Sequence, residues 1–187
     1  MKEILLLRDR LAMLESQGKC KESFMDYVRY IWDGFIEGEH HRLIADKLTE
    51  VAQGKCKRLI VNMPPRHTKS EFASVYFPSW VMGLKPDMKI MQTTHTADLS
   101  VRFGRKVRNL MDTDEYKRMF SDVSLAADSK SAGRWQTAQG GEYFAAGVGG
   151  AITGRGADLL IIDDPHSEQD ALSLNAMEGA YEWYTSG

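Results

Sequence analysis

Apolar residues recur with helical spacing over the first third of the chain. Residues 1–16 and the stretch "ESFMDYVRYIWDGF" each show this spacing, with an expected break at "SQGKC" between them. Residues 39–53 repeat the pattern, and Gly54 is placed to end that helix. The spacing therefore predicts three helices before residue 55.

The pattern changes near residue 58, where short apolar runs typical of buried strands begin. Helices are predicted between the runs, from Lys69 to about Pro78 and over 97–111 with Asp98 near the start, and the tail from residue 170 is also predicted to be helical. Because the strands alternate with helices over long connections, the pattern predicts an α/β fold with a mainly parallel sheet flanked by helices. The predicted strands are "RLIVNM" (58–63), "KIMQTTH" (89–95), a short strand at 134–137, "EYFAAGV" (142–148) and "LLIID" (159–163).

Charge adds a local feature to this picture and no global one. The 187 residues are 43% hydrophobic and 27% charged, with a formal net charge of -2, so no overall basic field attracts nucleic acid. One predicted helix carries four basic side chains, which favour either a DNA-tracking surface or a solvated face or subunit contact. These are Arg102, Arg105, Lys106 and Arg108.

Cysteine usage and hydropathy exclude several classes of protein. Cys20 and Cys56 lie far apart, which is typical of reduced intracellular thiols rather than of a disulfide framework or a zinc ribbon. No apolar run approaches the about 18 residues that a membrane span needs. The N-terminus lacks the pattern of a secretion signal, because charges follow its apolar stretch at once.

The segment "VNMPPRHTKSEF" (61–72) has the order of a phosphate-binding loop, with a predicted strand, a turn, Lys-Ser and a helix. Lys69 is expected to reach the β- and γ-phosphates of a nucleotide, and Ser70 to bind Mg²⁺. Pro64 and Pro65 have no N–H to donate, so the cradle must come from the amides of residues 66–70.

Two positions weaken the match to the pattern GxxxxGK[ST]. Met63 and Thr68 stand where that pattern has glycine, and a β-branched residue at 68 restricts the approach of backbone to phosphate. A Lys-Ser pair at an ordinary helix start is therefore the alternative interpretation.

The run "LLIIDD" (159–164) supplies a Walker B pattern, in which four apolar residues precede two acids. Asp163 falls at the carboxyl end of the strand, where α/β sheets bind ligands, and would hold Mg²⁺ through water. Asp164 would orient or deprotonate the attacking water. Two solvated acids at a strand end are the alternative, but two half-motifs in the right order, roughly 95 residues apart, favour a nucleotide site.

Four segments together resemble the ATPase domain of the large terminase subunit, the DNA-packaging motor of tailed double-stranded DNA bacteriophages. The resemblance covers most of the chain, from about His40 to Tyr184. The four segments read "RLIVNMPPRHTKSE", "TADLSVRFGRKVRNLM", "GGAITGRGADLLIIDDP" and "WYTS". The third of them is the most specific.

The resemblance implies a P-loop NTPase of the ASCE type with an N-terminal helical extension over 1–38 and an ATPase domain over 39–187. It implies a Mg²⁺-dependent ATPase that pumps viral double-stranded DNA into the procapsid. Implied partners are DNA, the portal protein, the small terminase subunit and further copies in a ring, usually pentameric, with a monomer conceivable in isolation. The implied location is the host cytoplasm, at the procapsid. We expect the chain to be truncated before the coupling motif and the C-terminal nuclease domain of the family.

The resemblance also implies residue roles. Nucleotide binding falls to residues 66–70, which are Arg66, His67, Thr68, Lys69 and Ser70, and Mg²⁺ binding to Ser70 and Asp163. Catalysis falls to Asp164, to Arg66 as a γ-phosphate contact, and to Arg155 as an arginine finger on a mobile, exposed glycine turn. Alternatively Arg66 pairs with a nearby acid, and Arg155 contacts DNA or nothing. His40 matches a position near the adenine, with His41 as the other choice or a helix-start histidine as the alternative. His67 and His95 receive no metal role.

Two other functions remain open at this stage. Thr68 and the short Asp164 side chain favour, as an alternative, a catalytically weak module that binds nucleotide or takes part in assembly. A helicase is a third interpretation, but it predicts further motifs and a second lobe for which 187 residues leave no space.

Overall fold

The computed structural model describes residues 1–128, 131–152 and 154–186. The chain divides into two compact units, residues 1–67 and 68–187. The division falls between His67 and Thr68, inside the predicted phosphate loop, whereas the predicted domain boundary follows residue 38. That boundary stays a prediction.

The first unit contains three helices: α1 (Lys2–Glu22), α2 (Phe24–Ile31) and α3 (Glu39–Ala52). The predicted break at residues 16–20 is wrong, because α1 continues through it to Glu22. A single glycine at position 18 costs only about 1 kcal/mol in a helix, which the rest of a 21-residue helix tolerates.

The chain turns between α1 and α2 at Ser23, which has an extended backbone conformation. The Ser23 hydroxyl accepts a hydrogen bond from the backbone N–H of Asp26 at 3.3 Å, and this contact caps α2. The backbone N–H of Phe24 donates to Thr49 Oγ1 of α3 at 3.3 Å. Side-chain capping therefore places the break at Ser23, after the predicted segment 16–20.

The predicted strand at 58–63 is absent, and these residues form no regular secondary structure. None of the six residues is buried, and Ile60 is 86% exposed. A strand requires a neighbouring strand to satisfy its backbone N–H and C=O groups, and among the described residues this segment pairs with none. A short apolar run alone does not establish a strand.

The second unit begins with a continuous helical stretch that joins α4 (Lys69–Glu71), a π-helical turn (Phe72–Tyr76) and α5 (Phe77–Leu84). The stretch continues six residues past Pro78, where the predicted helix ends. Pro78 is the second residue of α5 and directly follows the π-helical turn, and the helical stretch continues through it.

A four-stranded sheet follows, with the order β2-β3-β1-β4. The central strand β1 runs parallel to β3 and β4, while the short β2 runs antiparallel to β3. The predicted α/β fold with a mainly parallel sheet is therefore confirmed at this level. The strands are β1 (Lys89–Thr94), β2 (Arg134–Gln136), β3 (Glu142–Gly147) and β4 (Leu159–Ile162).

Helix α6 (Ala97–Met111) packs on β1 and β3, and a short α7 (Asp114–Met119), absent from the prediction, follows it. The indole N–H of Trp135 donates to the carbonyl of Gly104 at 3.1 Å, and the Trp135 ring stacks on Tyr143. A Cβ at Gly104 would lie 2.7 Å from the carbonyl oxygen of Ala132 and 2.8 Å from the Tyr143 ring, so this close approach requires glycine.

A second apolar cluster contains Met91, Ala146 and Ile152, with Phe144 and Trp183 packed against it. Trp183 belongs to α8 (Leu174–Ser186), and its indole N–H donates to the carbonyl of Gly150 at 2.8 Å. Because Met91 and Tyr143 occupy alternate faces of paired strands, helices cover both faces of the sheet. No helix within the described residues has the length and apolar composition needed to cross a membrane.

Candidate functional site

Lys69 lies beside the two acids that follow β4, 95 residues further along the chain. The Lys69 Nζ atom is 2.5 Å from Asp164 Oδ1 and 3.6 Å from Asp163 Oδ1. The two half-motifs, predicted separately from "TKS" and "LLIIDD", therefore meet at one place in the second unit.

Backbone hydrogen bonds hold both acids at the carboxyl end of the sheet. The N–H of Asp163 donates to the carbonyl of Thr93 at 2.9 Å, one residue beyond β4. The carbonyl of Asp164 accepts from the N–H of His95 at 3.1 Å. Asp164 has a φ of 46°, a left-handed conformation that aspartate tolerates better than most residues. The acids thus occupy the end of a parallel sheet at which ligands commonly bind.

The three charged side chains differ in their exposure to solvent. The Asp163 side chain is 6% exposed, that of Lys69 23% and that of Asp164 63%. Burial by itself lowers the pKa of Lys69, but the hydrogen bond to Asp164 and the charges of both acids outweigh it, so this pKa is raised. Lys69 therefore stays protonated at neutral pH, as a phosphate-binding lysine must.

Asp163 has a further partner that the sequence did not indicate. The hydroxyl of Ser74, in the π-helical turn, donates to Asp163 Oδ2 at 2.9 Å, and both residues are buried. Ser74 lies four residues after Ser70, and nothing in the local sequence distinguishes it from an ordinary helical serine. Only the structure shows that it reaches a strand 89 residues away.

The loop around residue 68 has an unusual backbone. Arg66 and Thr68 have φ angles of 65° and 62°, in the left-handed region that favours glycine. The Thr68 carbonyl accepts from the N–H of Phe72 at 3.0 Å and so starts the helical stretch. Thr68 thus adopts the conformation for which the usual loop glycine is suited, and the half-buried Ser70 follows in the first turn of α4.

The first unit contains the remaining loop residues and the candidate adenine contacts. His41 is buried, its Nδ1 accepts from the N–H of Gly38 at 2.9 Å, and its ring meets that of Phe35 edge-on. His40 packs between two imidazoles, with ring centroids 3.8 Å from His41 and 5.5 Å from His67. His41 is thus buried and caps α3 through Nδ1, whereas His40 is half-buried, and the choice between them as an adenine contact stays a prediction.

Arg155 is held in place and does not project from a free turn. Its guanidinium lies 4.1 Å from the centre of the Phe144 ring, and its Nη1 is 3.7 Å from Glu142 Oε1. Glu142 pairs in register with Lys89 at the start of β1, whereas Asp163 bonds to the end of that strand. Arg155 and Lys69 therefore occupy opposite ends of the sheet. Arg155 is exposed as expected, with a side chain that is 38% accessible to solvent, and its contacts to Phe144 and Glu142 were not expected. Its mobility and its role as a finger stay predictions.

Two of the four basic side chains on α6 have partners within the described residues. Lys106 pairs with Glu71, and an Arg108 Nη1–H donates to the carbonyl of Ser131 at 3.3 Å. Arg102 and Arg105 are exposed. These contacts do not distinguish a DNA-tracking surface from a solvated face or subunit contact.

Among the described residues, no three His, Cys, Asp or Glu side chains converge as they would to hold a metal ion unaided. Neither Cys20 nor Cys56 forms a disulfide. Oxygen donors near Lys69 include the carboxylates of Asp163 and Asp164, and the Ser70 hydroxyl follows Lys69 in the first turn of α4. Hard oxygen donors in small number are what Mg²⁺ accepts when it is bound mainly through a nucleotide and water.

No protein-family model matches the chain, and no curated protein or solved structure shows significant similarity to it. The terminase resemblance therefore stays a prediction based on the motifs quoted above.

Proposed function

We propose that the chain is an ATP-hydrolysing motor domain of the terminase type, which drives viral double-stranded DNA into a procapsid. One observation carries the proposal, namely the meeting of Lys69 with Asp163 and Asp164 at the carboxyl end of a parallel sheet. A lysine at the start of a helical stretch, beside two acids at a strand end, is the arrangement that phosphoryl transfer from ATP requires.

Lys69 must exchange partners when nucleotide binds. Its ion pair with Asp164 is accessible to water, and ion pairs of this kind contribute only about 0–1 kcal/mol. A triphosphate carries more charge than one carboxylate, so the exchange is favourable. Asp164, released from Lys69, is then free to accept a proton from water.

The donor set fits Mg²⁺, because the Ser70 hydroxyl and the buried Asp163 carboxylate are both oxygen ligands. Bound Mg²⁺ would neutralise charge on the phosphates as the transferred group leaves. Asp163 would hold the ion through water, while Arg66 would contact the γ-phosphate and the amides of residues 66–70 would cradle the phosphates. His40 would contact the adenine. The strand expected before this loop is absent, so the proposal depends on the Lys69 cluster and the helix start, not on a complete Walker A element.

The proposed motor role implies that the chain works in an assembly with other molecules. These are double-stranded DNA, the portal protein, the small terminase subunit and other copies of the chain in a ring. The exposed Arg102 and Arg105 offer phosphate contacts to DNA. They are proposed contacts, because the same side chains also suit a solvated face.

Calorimetric titration with Mg-ATP tests the nucleotide site. We expect Lys69→Ala to weaken binding about 10- to 100-fold, since a charge-assisted contact contributes about 1.5–3 kcal/mol. Lys117→Ala is the matched control, because it removes another ion-paired lysine, bonded to Asp112, without touching the site. Absence of Mg-ATP binding in both the wild type and Thr68→Gly would contradict the proposed ATP site.

Hydrolysis in the presence of double-stranded DNA separates the motor from the weak-module alternative. A motor should hydrolyse ATP faster when DNA is added, and Asp164→Asn should abolish that hydrolysis while retaining ATP binding. Mg-ATP binding without any hydrolysis, at chain concentrations high enough for self-association, would instead favour the nucleotide-binding or assembly module.

A further inference from the structure

The hydroxyl of Ser74 links the helical stretch after Lys69 to the side chain of Asp163 through a hydrogen bond. The donor–acceptor distance is 2.9 Å, Ser74 is 0% exposed and Asp163 is 6% exposed. A hydrogen bond to a buried carboxylate is stronger than a neutral one, and losing it leaves a charged oxygen unsatisfied. Removal of the Ser74 hydroxyl would therefore leave Asp163 Oδ2 without this partner.

The hydroxyl of Ser74 is used in an unusual way for a helical serine. Serines inside helices commonly donate to the carbonyl four residues back. Ser74 has a single hydroxyl proton, and it donates that proton across to β4 instead. Ser79 shows the ordinary behaviour on the same helical stretch, because its hydroxyl donates to the nearby carbonyl of Tyr76 at 2.8 Å.

The π-helical turn provides the setting for this contact. The N–H of Phe77 donates to the carbonyl of Phe72, five residues earlier, in place of the usual four. Such a turn inserts an extra residue and changes the face on which the following side chains lie. Single π-helical turns inside α-helices are frequent at functional sites, and this turn contains Ser74.

The two oxygens of Asp163 thus have different partners. Oδ2 accepts from Ser74, while Oδ1 faces the Lys69 ammonium at 3.6 Å. Contacts to both oxygens fix the plane of the carboxylate. Groups that orient a metal-binding side chain in this way tune metal affinity without touching the metal.

We propose that Ser74 is a positioning residue that orients the Asp163 carboxylate for binding of a divalent cation together with nucleotide. This inference rests on the proposed ATP site. It adds a residue that affects the affinity for the cation through Asp163 and makes no contact with the nucleotide. Loss of the hydroxyl should therefore weaken the response to Mg²⁺ while the affinity for metal-free ATP stays unchanged.

The experiment measures ATP affinity by calorimetry over a range of Mg²⁺ concentrations and in EDTA, with the full chain. For Ser74→Ala we expect the half-saturating Mg²⁺ concentration to rise about 10-fold, as for other losses of an orienting contact, with ATP affinity in EDTA unchanged. Ser79→Ala is the matched control, because it removes an equally buried serine hydroxyl from the same stretch. It should behave as the wild type in both conditions.

Ser74→Thr and Ser74→Cys keep the inference testable if Ser74→Ala does not fold. Threonine retains the hydroxyl and should restore the wild-type Mg²⁺ response, whereas cysteine is a weak donor and should not. Equal Mg²⁺ responses in wild type, Ser74→Ala and Ser74→Cys would overturn the role of Ser74 and leave the ATP site intact. Absence of ATP binding by the wild type in EDTA and in Mg²⁺ would overturn the proposed function, and this inference with it.

Discussion

Thr68 shows how a single residue can depart from a motif while its backbone retains the conformation that the motif needs. Its φ of 62° lies in the left-handed region, where a β-branched side chain is strained. The loop therefore has the backbone that glycine would adopt freely. Strain of this kind persists only where the surrounding structure imposes it, and it concentrates at functional sites.

Replacing Thr68 with glycine should stabilise the chain. Relief of the left-handed strain gains about 1–2 kcal/mol, and the greater freedom of glycine in the unfolded chain offsets about 0.4–1 kcal/mol of it. We expect the free energy of unfolding to rise by roughly 0.5–1 kcal/mol in urea titrations. Thr96→Gly is the control, because Thr96 caps α6 at a φ of -129° and its hydroxyl accepts from Leu99. That variant should lose stability, and an equal loss in Thr68→Gly would contradict the strain argument.

The sequence predicted the central residues of the site but missed one that supports them. Lys69, Asp163 and Asp164 could be identified because each belongs to a local pattern whose place in an α/β sheet is known. Ser74 could not, because its contact depends on a π-helical turn and on tertiary packing, and neither leaves a local pattern. The limit is physical, since a side chain's distant partner is determined by the fold and not by its neighbours in sequence.

At the scale of elements, the cap of α3 depends on a neutral histidine. His41 Nδ1 accepts from the N–H of Gly38, which a protonated ring cannot do. Burial lowers the pKa of His41, and the neighbouring His40 and His67 lower it further against the opposing charge of Glu37. In the unfolded chain the pKa returns to its ordinary value of about 6.5. Below that pH the unfolded state binds more protons, so this contribution to stability is lost as the pH falls.

His41→Gln should remove this pH dependence and keep the cap. Glutamine at the third helical position can accept from the N–H of the capping residue, and it does not titrate. We expect the urea midpoint of the wild type to fall more between pH 7 and pH 5 than that of His41→Gln. His41→Ala serves as the comparison, since it should be about 1 kcal/mol less stable than His41→Gln at both pH values. If wild type and His41→Gln lose equal stability over this range, the role of His41 in the cap is contradicted.

The elements that the sequence predicted well have a capping residue or at least one neighbouring strand. Helix α6 begins after Thr96 and runs over the predicted residues, and the strands β1, β3 and β4 follow the predicted apolar runs closely. The segment 58–63 shares their composition but pairs with no strand among the described residues. Composition alone thus predicted where apolar side chains lie, while strand formation depended on a hydrogen-bonding neighbour.

At the scale of the whole molecule, the sheet separates Arg155 from the site formed by Lys69. Arg155 contacts Glu142, which pairs with Lys89, whereas Asp163 bonds to Thr93. Four strand residues at about 3.3 Å each place roughly 13 Å of sheet between these two ends. An arginine at this distance does not reach the Lys69 cluster of its own chain, so the proposed finger role for Arg155 requires a neighbouring copy.

Mixing two inactive variants tests this arrangement once the wild type is shown to hydrolyse ATP. Arg155→Ala retains the pocket and Lys69→Ala retains the finger, so an interface between them joins an intact pocket to an intact Arg155. In an equal mixture we expect about one quarter of the wild-type activity, since one in four random head-to-tail interfaces has this composition. As a control, Lys69→Ala mixed with the double variant Lys69→Ala/Arg155→Ala contains no intact pocket and should stay inactive. No recovery in the first mixture, under conditions where the wild type is active, would exclude a finger supplied in trans and leave Arg155 with its contacts to Glu142 and Phe144.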